Sequence, residues 1–192
     1  MSAPGSRGPA ALLVIDMINR LDFPGAERMA PGAIAAARRI QALRDRFHAR
    51  DWPVIFANDN FADWRSDFRE LVAMALNTDG APATIAKLLA PDARDYVVLK
   101  PKHSAFLATP LPVLLAKLEV RRLLLTGLAL ESCVLATAAD ANAREFEVAI
   151  VRDAVAGLPG LRMQALATLA GSGTARLLPS SQALAWAGAG SA

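Results

Sequence analysis

Arg122-Leu-Leu-Leu-Thr126 runs into Gly127-Leu-Ala-Leu-Glu-Ser-Cys133, and a helical pattern then occupies Ser132–Glu145. A short aliphatic run, a turn opened by glycine and a helix form one half of a parallel strand-helix-strand unit. The same grammar recurs on both sides. Ala11-Leu-Leu-Val-Ile-Asp16 is an apolar run of strand length that ends on a carboxylate, and Pro53–Ala57, Tyr96–Lys100, Val148–Arg152 and Ala175–Leu178 read as further strands. Between them Pro31–Arg50 is predicted helical: Pro31 suits a first turn, and Ile34, Ala37, Ile40, Leu43 and Phe47 recur at helical spacing. Residues 68–77, 83–90, Leu111–Leu118 and Leu161–Leu169 read as the remaining helices, and 58–68 as a polar, aromatic loop. Continuous apolar strands alternating with helices predict a three-layer α/β/α fold, with a parallel sheet of about six strands covered on both faces.

Composition narrows the possibilities. The 192 residues are enough for one sizeable core, so residues 1–192 are read as a single domain. With 54% hydrophobic and 20% charged residues, disorder is excluded as the main state. Cys133 is the sole cysteine and His48 and His103 the only histidines, which excludes a disulfide framework, a multi-thiolate zinc site and an all-histidine metal site. The net charge is only +3, the basic residues are scattered, and Tyr96 is the single tyrosine, so nucleic acid is not an expected partner. No apolar run reaches the roughly 18 residues of a membrane span. Residues 1–9 read as a frayed tail rather than a signal peptide, which makes the cytoplasm the expected location. The segment from Pro179 onward (180–192) is expected to fray likewise.

In open parallel sheets, ligands bind beyond the carboxyl ends of the strands. Three chemically capable residues fall there: Asp16 after the first strand, Lys100 closing the third and Cys133 after the fourth. A free cysteine often merely packs. Cys133, however, opens a helix, where unpaired N–H groups favour thiolate and can hold an oxyanion. A lysine beside it is expected to lower the thiol pKa, and a carboxylate can move its proton. His103 is expected to line the pocket, as are Phe23, Asn60 and Trp64 from the segments 20–30 and 58–70. His48 and the arginines of the first helix read as a solvated face, and Lys102 as a rim residue.

Val14-Ile-Asp16-Met-Ile-Asn19, Leu99-Lys100-Pro-Lys-His-Ser-Ala-Phe106 and Thr126-Gly-Leu-Ala-Leu-Glu-Ser-Cys133-Val134, with Thr137 and Val151-Arg-Asp153-Ala154 trailing, resemble the isochorismatase-like cysteine hydrolases over roughly residues 10–180. The resemblance implies a Rossmann-like fold and Asp16, Lys100 and Cys133 as the catalytic triad. It also implies a cis peptide at Leu128–Ala129, with the Ala129 and Cys133 amides forming an oxyanion hole. Two departures stand out. Leu130-Glu131 occupies a position where many relatives carry Thr-Asp or Thr-Glu. Nicotinamidase relatives hold a metal through an Asp-x-His pair after the second strand, whereas this chain has Asp59-Asn60-Phe61. No metal or cofactor is therefore expected.

The expected activity is cysteine-dependent hydrolysis of a C–N bond in a small amide, ureide or carbamoyl compound, through a thioester. An isochorismate-type vinyl-ether hydrolase and a non-catalytic binding protein are the alternatives. The mean hydropathy of +0.29, the apolar Leu184 and Trp186, and the habit of the family predict a homodimer or larger homo-oligomer.

Overall fold

The computed structural model describes residues 10–189; residues 1–9 and 190–192, and the expectation of fraying there, lie outside the described residues. Elements follow in the order β1 (Ala10–Ile15), α1 (Ala26–His48), β2 (Val54–Asp59), α2 (Phe68–Leu76), α3 (Ala81–Leu89), β3 (Tyr96–Lys100), α4 (Leu111–Lys117) and β4 (Arg122–Gly127). A π-helical turn (Leu130–Val134), α5 (Leu135–Ala143), β5 (Glu147–Val155), α6 (Pro159–Ser172), β6 (Arg176–Leu178) and α7 (Ser180–Gly188) complete them. The six strands form one sheet in the order β3-β2-β1-β4-β5-β6, and every pairing is parallel.

Alternation along β1 explains the three layers. Leu12 and Val14 point into one core with Ile40 and Phe47 of α1, Ile85 and Leu89 of α3 and Ala183 of α7. Leu13 and Ile15 point into the other, with Leu111 and Leu115 of α4, Ala138 of α5 and Leu169 of α6. Both faces of β1 are therefore buried, and its sequence is apolar at every position rather than at every second one. Successive connections leave β1 first toward β2 and β3, then across to β4. That reversal opens a crevice beyond the carboxyl ends of β1 and β4.

Three expectations are corrected. Helix α1 starts five residues before Pro31, because Ala26, Met29 and Ala33 are buried and offset the one backbone hydrogen bond that a proline removes. The segment from Ser180 does not fray within the described residues: it forms α7, with Ala183 and Ala187 fully buried. Leu184 and Trp186 pack against the first core, and the Arg122 guanidinium lies over the Trp186 ring and donates to its carbonyl. The carboxyl end of α1 is not a solvated face either. The Asp95 carboxylate is fully buried, and it draws in Arg44 and His48, the latter at 2.9 Å from Nε2. A buried carboxylate needs such partners.

Candidate active site

Asp16 follows β1 directly, with φ of 49°. Its backbone N–H still donates to Ala57 of β2, and this fixes the carboxylate at the mouth of the crevice. Lys100 is the last residue of β3 and pairs in register with Asp59, the last residue of β2. Its side chain is wholly buried, and its ammonium stands 2.9 Å from Asp16 Oδ2, 3.3 Å from Asp59 Oδ2, 3.2 Å from the Lys102 carbonyl and 3.5 Å from Cys133 Sγ. The three residues expected to converge do so, although they come from three strand ends.

Cys133 sits in the π-helical turn after β4. Its carbonyl accepts from Thr137 Oγ1, which in turn accepts from the Ala105 N–H at 3.0 Å. That pair ties the loop after β3 to the start of α5, and so holds Lys100 and Cys133 in fixed relation. The peptide Leu128–Ala129 is cis. The Ala129 carbonyl accepts from Ser132 and Val134, and its N–H donates to no acceptor among the described residues.

The departure at Leu130-Glu131 has a local explanation. Leu130 is fully buried in the second core, and the Glu131 carboxylate accepts from the Leu158 N–H at 2.8 Å. Phe106 belongs to the same core, packed on Phe146.

The electrostatics correct one expectation. Burial pushes the Cys133 thiol up to about 12, aided by the neighbouring Asp16 carboxylate and against the pull of Lys100. Lys100 pulls the thiol down as expected, but burial and the Asp16 carboxylate outweigh it. Burial likewise raises Asp16 above the ordinary carboxylate range, although Lys100 and a hydrogen bond with Cys133 work in the other direction. For Lys100, burial lowers the pKa, but Asp16, Cys133 and Asp59 together outweigh it and raise the group. The cluster is thus a charged lysine, a thiol and a buried carboxylate whose affinity for a proton has been increased.

Around this cluster the remaining expected residues divide. His103 is exposed, with Nδ1 3.2 Å from Ser132 Oγ and 3.9 Å from Cys133 Sγ, on the solvent side of the sulfur. Asn60 is buried and its N–H donates to the Lys100 carbonyl, while its side chain accepts from Ala62 and shapes the turn. Phe23 packs against the first core, and Trp64 is 76% exposed. Lys102 is at the exposed rim, as expected.

Sequence reading gave Asp59 no catalytic part, treating it only as the position of a metal ligand in relatives. Its Oδ2 faces the Lys100 ammonium and its Oδ1 accepts from the Phe61 N–H at 2.7 Å, while its own N–H donates to Asp16 Oδ1 at 2.6 Å. A carboxylate committed to an ammonium, with phenylalanine where the imidazole would stand, does not fit a divalent cation. The available signal was its place just past the apolar run of β2, the position that Asp16 and Lys100 hold on their own strands.

An open parallel sheet with an aspartate, a lysine and a cysteine gathered at its topological switch point defines the class of this protein. Residues 10–180 match the isochorismatase domain. The chain is 37% identical to the uncharacterized isochorismatase family protein YaaI of Bacillus subtilis over 151 residues, 79% of this chain and 82% of that protein. It is 33% identical to a maleamate amidohydrolase of Pseudomonas putida over 153 residues, covering 76% of this chain and 71% of the relative. Among solved structures, an isochorismatase family protein from Desulfovibrio vulgaris matches with a TM-score of 0.74 at 26% identity, over 93% of this chain and 98% of that one. The chain belongs to the isochorismatase family.

Proposed function

We propose that this protein is a cysteine-dependent amidohydrolase that cleaves a C–N bond in a small amide, ureide or carbamoyl compound. The observation that carries the reading is the single buried ammonium of Lys100 within 2.9 Å of Asp16 and 3.5 Å of Cys133 Sγ. The amidohydrolase activity named for the Pseudomonas relative supports the same bond class.

The Cys133 proton passes to Asp16 as the sulfur attacks the carbonyl carbon. The raised proton affinity of Asp16 suits it to this transfer. The carbonyl π pair moves onto oxygen, which the Ala129 and Cys133 N–H groups receive. The C–N bond then breaks, its electron pair stays on nitrogen, and protonated Asp16 supplies the proton. Water attacks the thioester and gives a proton to Asp16. The C–S bond breaks and the departing thiolate recovers that proton. Lys100 stays charged throughout and holds both partners. His103 and the segment around Asn60 wall the mouth, and no cofactor takes part.

Ammonia or amine release from a panel of small amides, ureides and carbamoyl compounds tests the reading. Cys133→Ala should lower kcat by about 10³-fold or more while the fold is retained, since the nucleophile goes with only a small volume. Hydrolysis at an undiminished rate by Cys133→Ala would sink the thiol mechanism, and a wild-type protein inert toward every C–N substrate would sink the reaction class.

A further inference from the structure

We propose that Asp59 is a positioning residue of the reaction: it shares the Lys100 ammonium with Asp16, and so fixes that ammonium between the base and the nucleophile. The proposal rests on Asp16, Lys100 and Cys133 being the reacting set.

Lys100 is buried completely, so its ammonium must take all its partners from the protein. Those partners are Asp16 at 2.9 Å, Asp59 at 3.3 Å, the Lys102 carbonyl and the sulfur. When Asp16 accepts the thiol proton, its attraction for the ammonium falls. Asp59 then remains as a fixed counter-ion, and Lys100 has no reason to swing away from the sulfur. Asp59 is itself held, by the Phe61 N–H on one oxygen and by its own N–H on Asp16 Oδ1. Asp59 is also a negative charge beside the cluster. It offsets part of the lysine's field, leaving Asp16 a stronger base and the thiol less acidic than lysine alone would make them.

The other groups facing the sulfur are His103 Nδ1 and Ser132 Oγ, each 3.9 Å away, while Glu131 is turned to Leu158. None of them touches Asp59, so a change at Asp59 reads through Lys100 and Asp16.

The test is Asp59→Asn, which keeps an oxygen for the Phe61 N–H and turns a neutral NH2, in place of the carboxylate oxygen, toward the Lys100 ammonium. Iodoacetamide alkylation of Cys133, followed by mass across a pH series, needs no substrate. Its midpoint should fall by about one pH unit, giving about tenfold faster alkylation at a fixed pH below the midpoint. For an amide that the wild type hydrolyses, kcat should fall about tenfold with KM within about twofold, because Asp16 becomes a weaker base. Faster alkylation with slower turnover is a pairing that a merely structural role would not produce. Asp59→Glu keeps the charge but displaces it, and should shift the alkylation midpoint in the same direction by less; it carries the test if Asp59→Asn fails to fold. An alkylation profile unmoved by a folded variant would overturn the proposal. So would a stoichiometric divalent metal in the wild-type protein, measured by elemental analysis and lost in Asp59→Asn. A wild type that hydrolyses no amide, with the alkylation shift intact, would count against the proposed reaction and not against the Asp59–Lys100 coupling.

Discussion

Gly127, at the end of β4, lies against the Ile15 backbone so closely that a Cβ on Gly127 would stand 2.0 Å from the Ile15 carbonyl oxygen. The same oxygen accepts from the Leu128 N–H at 2.9 Å, and Gly127 has φ of 110°. Any side chain here would push apart β1 and β4, the two strands whose ends carry Asp16 and the turn of Cys133.

Gly127→Ala should therefore destabilise the fold by about 2–4 kcal/mol, because the blocking atoms are backbone and the conformation is one that side chains rarely adopt. Gly160→Ala is the control. Gly160 lies in the first turn of α6 with nothing within 4 Å of its Cβ position, and the substitution should stabilise by about 0.5 kcal/mol. Urea unfolding of both variants checks the pair; equal effects would contradict the geometry.

The pH dependence follows from the directions of the shifts. Turnover requires ionised Asp16, and its pKa is raised above 3.8, so the acid limb of kcat/KM should lie above the ordinary carboxylate range. With the thiol near 12, its thiolate fraction at pH 7 is about 10⁻⁵. Iodoacetamide should accordingly modify Cys133 slowly at neutral pH and progressively faster toward pH 12. Rapid alkylation at pH 7 would show that Lys100 prevails over burial.

Assembly is a separate expectation. Leu184 and Trp186 are satisfied within the chain, so they no longer argue for a partner. Val113, Leu161 and Met163 do remain about half exposed or more, on α4 and α6. We propose a homodimer or larger homo-oligomer whose contact covers one or more of these side chains. Sedimentation at micromolar concentration should give more than one chain per particle, and Met163→Glu with Val113→Glu should dissociate it. Deleting the chain after Pro179 should instead lower the melting temperature, since it uncovers the core beneath Ala183 and Ala187.

By itself the sequence determined the architecture and the three residues that gather at the crevice. Strand identity is a local property: runs such as Ala11–Ile15 and Leu123–Leu125 are apolar at every position because both faces of a central parallel strand are buried, and the polar residue that ends each run marks the open edge of the sheet. Asp16, Lys100 and Cys133 were legible for that reason, and the blocks around them carried the family. The tertiary structure alone decided what surrounds them. Asp59 turns onto a lysine 41 residues away and donates its N–H to an aspartate 43 residues back, and the lysine reaches a cysteine 33 residues on. The direction of the thiol's pKa, the capture of His48 by Asp95 and the docking of α7 on Arg122 share this origin. Hydrophobic periodicity records which side of an element faces the core. The field at a buried atom is instead a sum over charges and dipoles from several strand ends, and their distances exist only once the sheet has assembled.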